Sequence, residues 1–78
     1  MRVVMVLNCI EVNKKIATFA INGTFDGESV ERVETNLHPK VLRPQKNKEY
    51  VIAMEVKSVK EGVISGLAVR IRDFGEVA

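Results

Sequence analysis

The chain has 78 residues, 46% of them hydrophobic, and a formal net charge of +2. A chain of this length forms one domain and buries only about 60% of the surface its unfolded form exposes. Its apolar content is too high for a disordered chain. The longest apolar runs, such as Val3 to Leu7, are far shorter than the roughly 20 residues of a membrane-spanning helix. Arg2 is a lone positive charge before a short apolar run with no small-residue cleavage site, so no secretory leader is read. The expected setting is the cytoplasm, with no membrane partner. The lone Cys9 agrees, because it allows no intramolecular disulfide and small secreted domains usually carry several.

Val3 to Val12 reads as the first strand. Val4, Val6, Ile10 and Val12 alternate with Val3, Met5, Leu7 and Cys9, and both sets are apolar. That pattern predicts a strand covered on both faces. Asn13-Lys14-Lys15 is a polar break suited to a hairpin, followed by a second strand from Ile16 to Ile21 with Ala17, Phe19 and Ile21 on one face. Asn22-Gly23 and Asp26-Gly27 are turn dipeptides, and Thr24-Phe25 between them extends the second strand past a bulge.

Glu28 to Leu37 carries both periods. Val30, Val33 and Leu37 fit a helix; Glu31, Val33, Thr35 and Leu37 fit a strand that Glu31 would spoil. Val and Thr favour the strand, and a one-turn helix near this point would suit a Greek-key barrel. His38 to Lys48 is a loop: Pro39 and Pro44 exclude it from a sheet interior, and Val41 and Leu42 are read as an apolar pair tucked beneath it.

Tyr50 to Val59 and Val63 to Arg72 form a C-terminal hairpin about the turn Lys60-Glu61-Gly62. Tyr50, Ile52, Met54 and Val56 make the core face of its first arm. Val63, Leu67, Val69 and Ile71 are read as the core face of its second, with Arg70 and Arg72 outward and Gly66 outward at a bend. The tail from Asp73 to Ala78 is expected to fray, and its Asp-Phe-Gly is a chance tripeptide without the other motifs of a kinase. The whole predicts an all-β domain spanning 1–78: a small five-stranded, antiparallel barrel of OB-like or SH3-like type. The resemblance is at fold level only, and fold alone assigns no function.

Little chemistry is legible. Cys9 sits in an apolar strand and His38, the only histidine, lies in a different segment, so no nucleophile–base pair is indicated. No metal-ligand spacing and no phosphate-binding glycine motif occur, and the expectation is a non-enzyme without metal or cofactor. Asp26, Glu28, Glu31 and Glu34 crowd one segment against Arg32 alone, whereas Lys40, Arg43, Lys46 and Lys48 share a segment with no acid. Arg70 and Arg72 add an outward basic pair, followed by Phe74. Those cations suit phosphate contacts, with Phe74 as one stacking ring. They equally suit a solvated loop. Two functions are therefore expected as alternatives. One is a binding module that contacts nucleic-acid backbone through Lys40, Arg43, Lys46, Lys48, Arg70, Arg72 and Phe74. The other is a protein-interaction or self-assembly module in which an open edge accepts a partner strand, or opposite charges join copies.

Overall fold

Five strands account for most of the chain in the computed structural model, which describes residues 1–74. They are β1 (Arg2–Asn13), β2 (Ile16–Phe25), β3 (Glu28–Asn36), β4 (Glu49–Lys60) and β5 (Val63–Asp73). They close into a barrel in the order β1-β2-β3-β5-β4. Tight turns make the hairpins. Asp26-Gly27 and Glu61-Gly62 both place two successive residues at positive φ (53° and 83°; 53° and 78°), the twist a two-residue hairpin loop needs.

The barrel is not wholly antiparallel. β5 runs parallel to β3, from Arg32↔Val63 to Asn36↔Leu67. Parity requires a pair of this kind: a closed ring with an odd number of strands cannot alternate direction at every step. Of the two expected types, β5 wedged between β3 and β4 is the Greek-key arrangement of the OB barrel. Glu28–Asn36 is strand throughout and no helical turn forms among the described residues. Glu31 does not spoil the face, because the strand is irregular there. Glu31 and Arg32 both turn outward and donate their amides to Gly62 O at 2.8 and 3.2 Å, leaving Val30 and Val33 both inward.

The interior is filled by Leu7, Cys9, Phe19, Val33, Tyr50, Ile52, Met54, Ile64 and Ile71, with the small residues Ala17 and Ala68 between them. β1 departs from expectation. Its Val3, Met5, Leu7 and Cys9 side packs inward, but Val4 and Val6 are 66% and 47% exposed. A five-stranded barrel has one inside, and nothing among the described residues covers the other face. A bulge at Ile10 then shifts the phase, so Val12 joins the core although it shares a parity with Val4.

β5 also differs. Ile64, Gly66 and Ala68 point inward, and Leu67 and Val69 are 38% and 40% exposed. Val69 is an extra residue between the pairs Met54↔Ala68 and Ala53↔Arg70, and it restores Ile71 to the core. Gly66 thus lies inside, where a Cβ would overlap the Glu55 carbonyl oxygen. Asn22-Gly23 is not a turn: it lies in β2 at the register shift between Ala20 and Gly23, and Gly23 has no positive φ. In the 37–48 loop Val41 packs against the core, whereas Leu42 is exposed and Pro44 is buried in its place. Asp73 and Phe74 are ordered by the Phe74 amide donating to Glu49 O at 3.1 Å, and the rest of the expected fraying tail lies outside the described residues.

Candidate nucleic-acid interface

Strand direction sorts the charges. β1, β3 and β5 run towards one end of the barrel, so the β1–β2 turn and the 37–48 loop share that end. The β2–β3 and β4–β5 turns share the other. The first end carries Lys14, Lys15, Lys40, Arg43, Lys46 and Lys48, with no acid in either connection. The second carries Asp26, Glu28, Glu31 and Glu61 together with Lys60 and Arg2, so its charge is mixed. Strands of this length, tilted as barrel strands are, separate the two ends by about 25 Å. That is more than two Debye lengths at 0.1 M salt, about 10 Å each, so each end acts as its own field.

At the basic end the loop is fastened down at three points. Arg43 Nη1 donates to Lys14 O at 2.6 Å, which ties the loop to the β1–β2 turn. The Gln45 amide donates to the Tyr50 hydroxyl at 2.7 Å, satisfying a phenol whose ring fills the core. Asn47, at φ 70°, donates its amide to Cys9 O, and Cys9 N donates to Lys48 O, so the loop's exit runs beside β1.

Between turn and loop lies a cleft of about 400 Å³ lined by Lys14, Lys15, Leu37, His38, Pro39, Val41, Arg43 and Leu67. Its floor is apolar and its rim cationic. Lys40 lines an adjoining groove with His38, Val41 and β5 residues Leu67, Ala68 and Val69. Lys46 and Lys48 are exposed but do not line the cleft, being carried on the segment beside β1. The loop therefore reaches β5 at Val69, one residue before Arg70. Arg70 and Arg72 themselves turn away, lining a groove with Val4, Val51 and Ala53 on the β1–β4 side. Phe74 is 49% exposed.

No protein-family model, curated protein or solved structure matches this chain. OB barrels bind oligonucleotides on the β2–β3 face and through the β1–β2 and β4–β5 loops. Here that face presents Glu28 and Glu34 beside Arg32, and the β4–β5 turn sets Glu61 against Lys60, so of these only the β1–β2 turn is basic without an acid. The acid-free basic connections lie at the turn-and-loop end. Lys14 and Lys15 are the members that sequence reasoning passed over; their signal was two adjacent lysines in a hairpin turn, whose closeness to residue 43 only the fold reveals.

The electrostatics elsewhere is quiet. Among the described residues the ion pairs all involve Glu55: the Met1 ammonium at 3.0 Å and Arg2 at 3.7 Å. The bonded ammonium, aided by Arg2 and Lys57, holds the Glu55 carboxyl below its ordinary value. None of the candidate cations has a carboxylate within ion-pair distance among those residues. Cys9 faces the core, where burial pushes its thiol up against a weak lowering hydrogen bond to Glu11 O. His38 Nδ1 accepts the Lys40 amide at 3.1 Å.

Proposed function

We propose that this protein is a non-catalytic module that contacts the sugar-phosphate backbone of nucleic acid through the basic end of its barrel. The observation that carries the reading is the meeting of two acid-free connections, the β1–β2 turn and the 37–48 loop, around one cleft whose cations have no carboxylate partner among the described residues. Unpaired cations need no partner exchange before they meet a phosphate, and the Arg43 bond to the Lys14 carbonyl holds the guanidinium against the β1–β2 turn. Aromatic placement supports backbone contact over base stacking. Phe19 and Tyr50 are buried, Phe25 packs against the core, and Phe74 alone is well exposed.

The test is fluorescence anisotropy of a labelled oligonucleotide over a range of salt. Binding should weaken linearly in log–log form, with a slope of about −0.7 to −0.9 per phosphate contact. Lys15→Glu with Lys40→Glu should weaken binding and flatten that slope by about one to two units. Binding that ignores salt, or that survives this pair unchanged, would refute the assignment.

A further inference from the structure

Exposed apolar residues lie on more than one side of the barrel: Leu67 and Val69 border the basic end, whereas Val4 and Val6 stand away from it on β1. Register places Val4, Ala53 and Arg70 in one row across β1, β4 and β5, and Val6, Val51 and Arg72 in the next. All are outward. Val51 and Ala53 are short and half-buried; Val4 and Val6 stand exposed on one flank, Arg70 and Arg72 on the other. The result is a trough of about 220 Å³ running along β4, lined by Val4, Val51, Ala53, Arg70 and Arg72. Its flanking strands are two strand spacings apart, about 9.6 Å between backbones, so a helix about 10–12 Å across lying over β4 would touch the side chains of both flanks. β1 and β5 are both hydrogen-bonded to β4, and the barrel is closed, so addition of a partner strand at an open edge has no place to occur here.

We infer that this trough docks an amphipathic helix of a partner protein that carries carboxylates beside its apolar stripe. Charge complementarity names the occupant. Neither Arg70 nor Arg72 has a carboxylate in ion-pair range among the described residues, and Glu55, at the head of the trough, is already held by the Met1 ammonium and Arg2. The arginines are two residues apart on one strand, about 6.6 Å, and carboxylates at i and i+4 of a helix rise about 6 Å, so one can face each guanidinium. Planar guanidinium–carboxylate pairs are the strongest of their kind. A second copy fits less well. With β4 stacked on β4, each arginine meets the other copy's β1 valines when the strands are parallel, or the other copy's own arginines when they are antiparallel. Nucleic acid would leave the valine flank uncovered. The inference stands independently of the nucleic-acid reading, because it uses none of the cleft cations.

The experiment uses the full chain and a synthetic helical peptide of about 16 residues, long enough to hold a helix, with a leucine stripe flanked by glutamates at i and i+4. Amide shift mapping should move Val4, Val6, Val51, Ala53, Arg70 and Arg72. Arg70→Glu with Arg72→Glu should weaken the peptide about tenfold or more, as should a peptide with lysines for its glutamates. Val4→Thr, which keeps strand propensity, should weaken it without altering the melting curve. Lys15→Glu with Lys40→Glu should leave it unchanged. The inference is overturned if the peptide does not bind or if a scrambled peptide binds as well. It is equally overturned if an oligothymidine maps to this face, or if light scattering shows a dimer that Val4→Thr dissolves.

Discussion

Replacing Gly66 by alanine should open the seam between β4 and β5. Gly66 pairs with Val56 on β4 and Thr35 on β3, and it points into the barrel. A Cβ there would overlap the Glu55 carbonyl oxygen and lie 2.9 Å from Met54 Cε. The methionine end can swing away, but the carbonyl is backbone and belongs to the ladder itself, so relief requires the strands to separate. Overpacking a core costs about 1–3 kcal/mol where side chains can adjust, and a backbone obstruction puts this case at about 3 kcal/mol or above. A chain of this length has a total stability of about 4–12 kcal/mol. At roughly 4–8 °C per kcal/mol, Gly66→Ala should lower the midpoint by about 12 °C or more. Gly23→Ala is the matched control: nothing lies within 4 Å of its would-be Cβ and its φ is not positive. It should be neutral or stabilising by up to about 1 kcal/mol, through a less flexible unfolded chain. Thermal melts by circular dichroism measure both. If Gly66→Ala melts within about 2 °C of the parent, at those same degrees per kcal/mol, the close approach of β5 to Glu55 is wrong.

Thr35 Oγ1 is buried without a hydrogen-bond partner among the described residues, so Thr35→Val should stabilise by about 1 kcal/mol, roughly 4–8 °C in a melt. An equal loss would mean the hydroxyl is satisfied. Lys14 adopts φ 49°, a left-handed conformation that costs a non-glycine residue about 1–2 kcal/mol and that asparagine tolerates better. Lys14→Asn should therefore raise the melting point while weakening oligonucleotide binding, and a variant that weakened both would tie Lys14 to the fold alone. Acetylating the N-terminus removes the ammonium from Glu55, whose carboxyl should then titrate at a higher pH in a carbon-detected NMR titration. The sign follows from a depressed folded value: the pairing stabilises above the ordinary carboxylate pKa and is lost as pH falls through the folded one. An unmoved midpoint would deny the contact. Cys9, buried with its thiol pushed up, should react with a disulfide reagent only as fast as the barrel opens; rapid labelling of the folded protein would contradict its place in the core.

The strands are legible because their alternation is local, and two turns because Asp26, Gly27 and Gly62 reach positive φ easily. What the alternation hid was phase. A bulge adds one residue and exchanges the two faces, and neither the bulge at Ile10 nor that at Val69 carries a glycine or proline to announce it. Unbroken alternation puts Val63, Leu67, Val69 and Ile71 on one inward face; the bulge at Val69 leaves Ile71 inward and turns Leu67 out. The apolar outer face of β1 misled for another reason: valine is a good strand former wherever it lies, and hydropathy does not distinguish a covered face from one awaiting a cover. The candidate cations divided in a way no linear reading could supply. Arg43 joins Lys14 and Lys15 at one cleft, Lys40 lines the adjoining groove, Lys46 and Lys48 lie beside β1, and Arg70 and Arg72 join Val4 across the barrel wall.

The parallel β3–β5 pair also sets an order of events. β5 comes last in the chain yet lies between β3 and β4, so the ring stays open until every other strand has been made. The β1–β2–β3 meander forms from neighbours in sequence, whereas closure joins residues near Arg32 to residues near Val63, the distant kind of pairing that folds slowly. Throughout that interval the edge of β3 is bare, and nascent chains on neighbouring ribosomes could pair along it. That edge bears Glu28, Glu31 and Glu34. The acidic strand, which takes no part in either proposed surface, thus repels its own kind during the time when the barrel is unfinished.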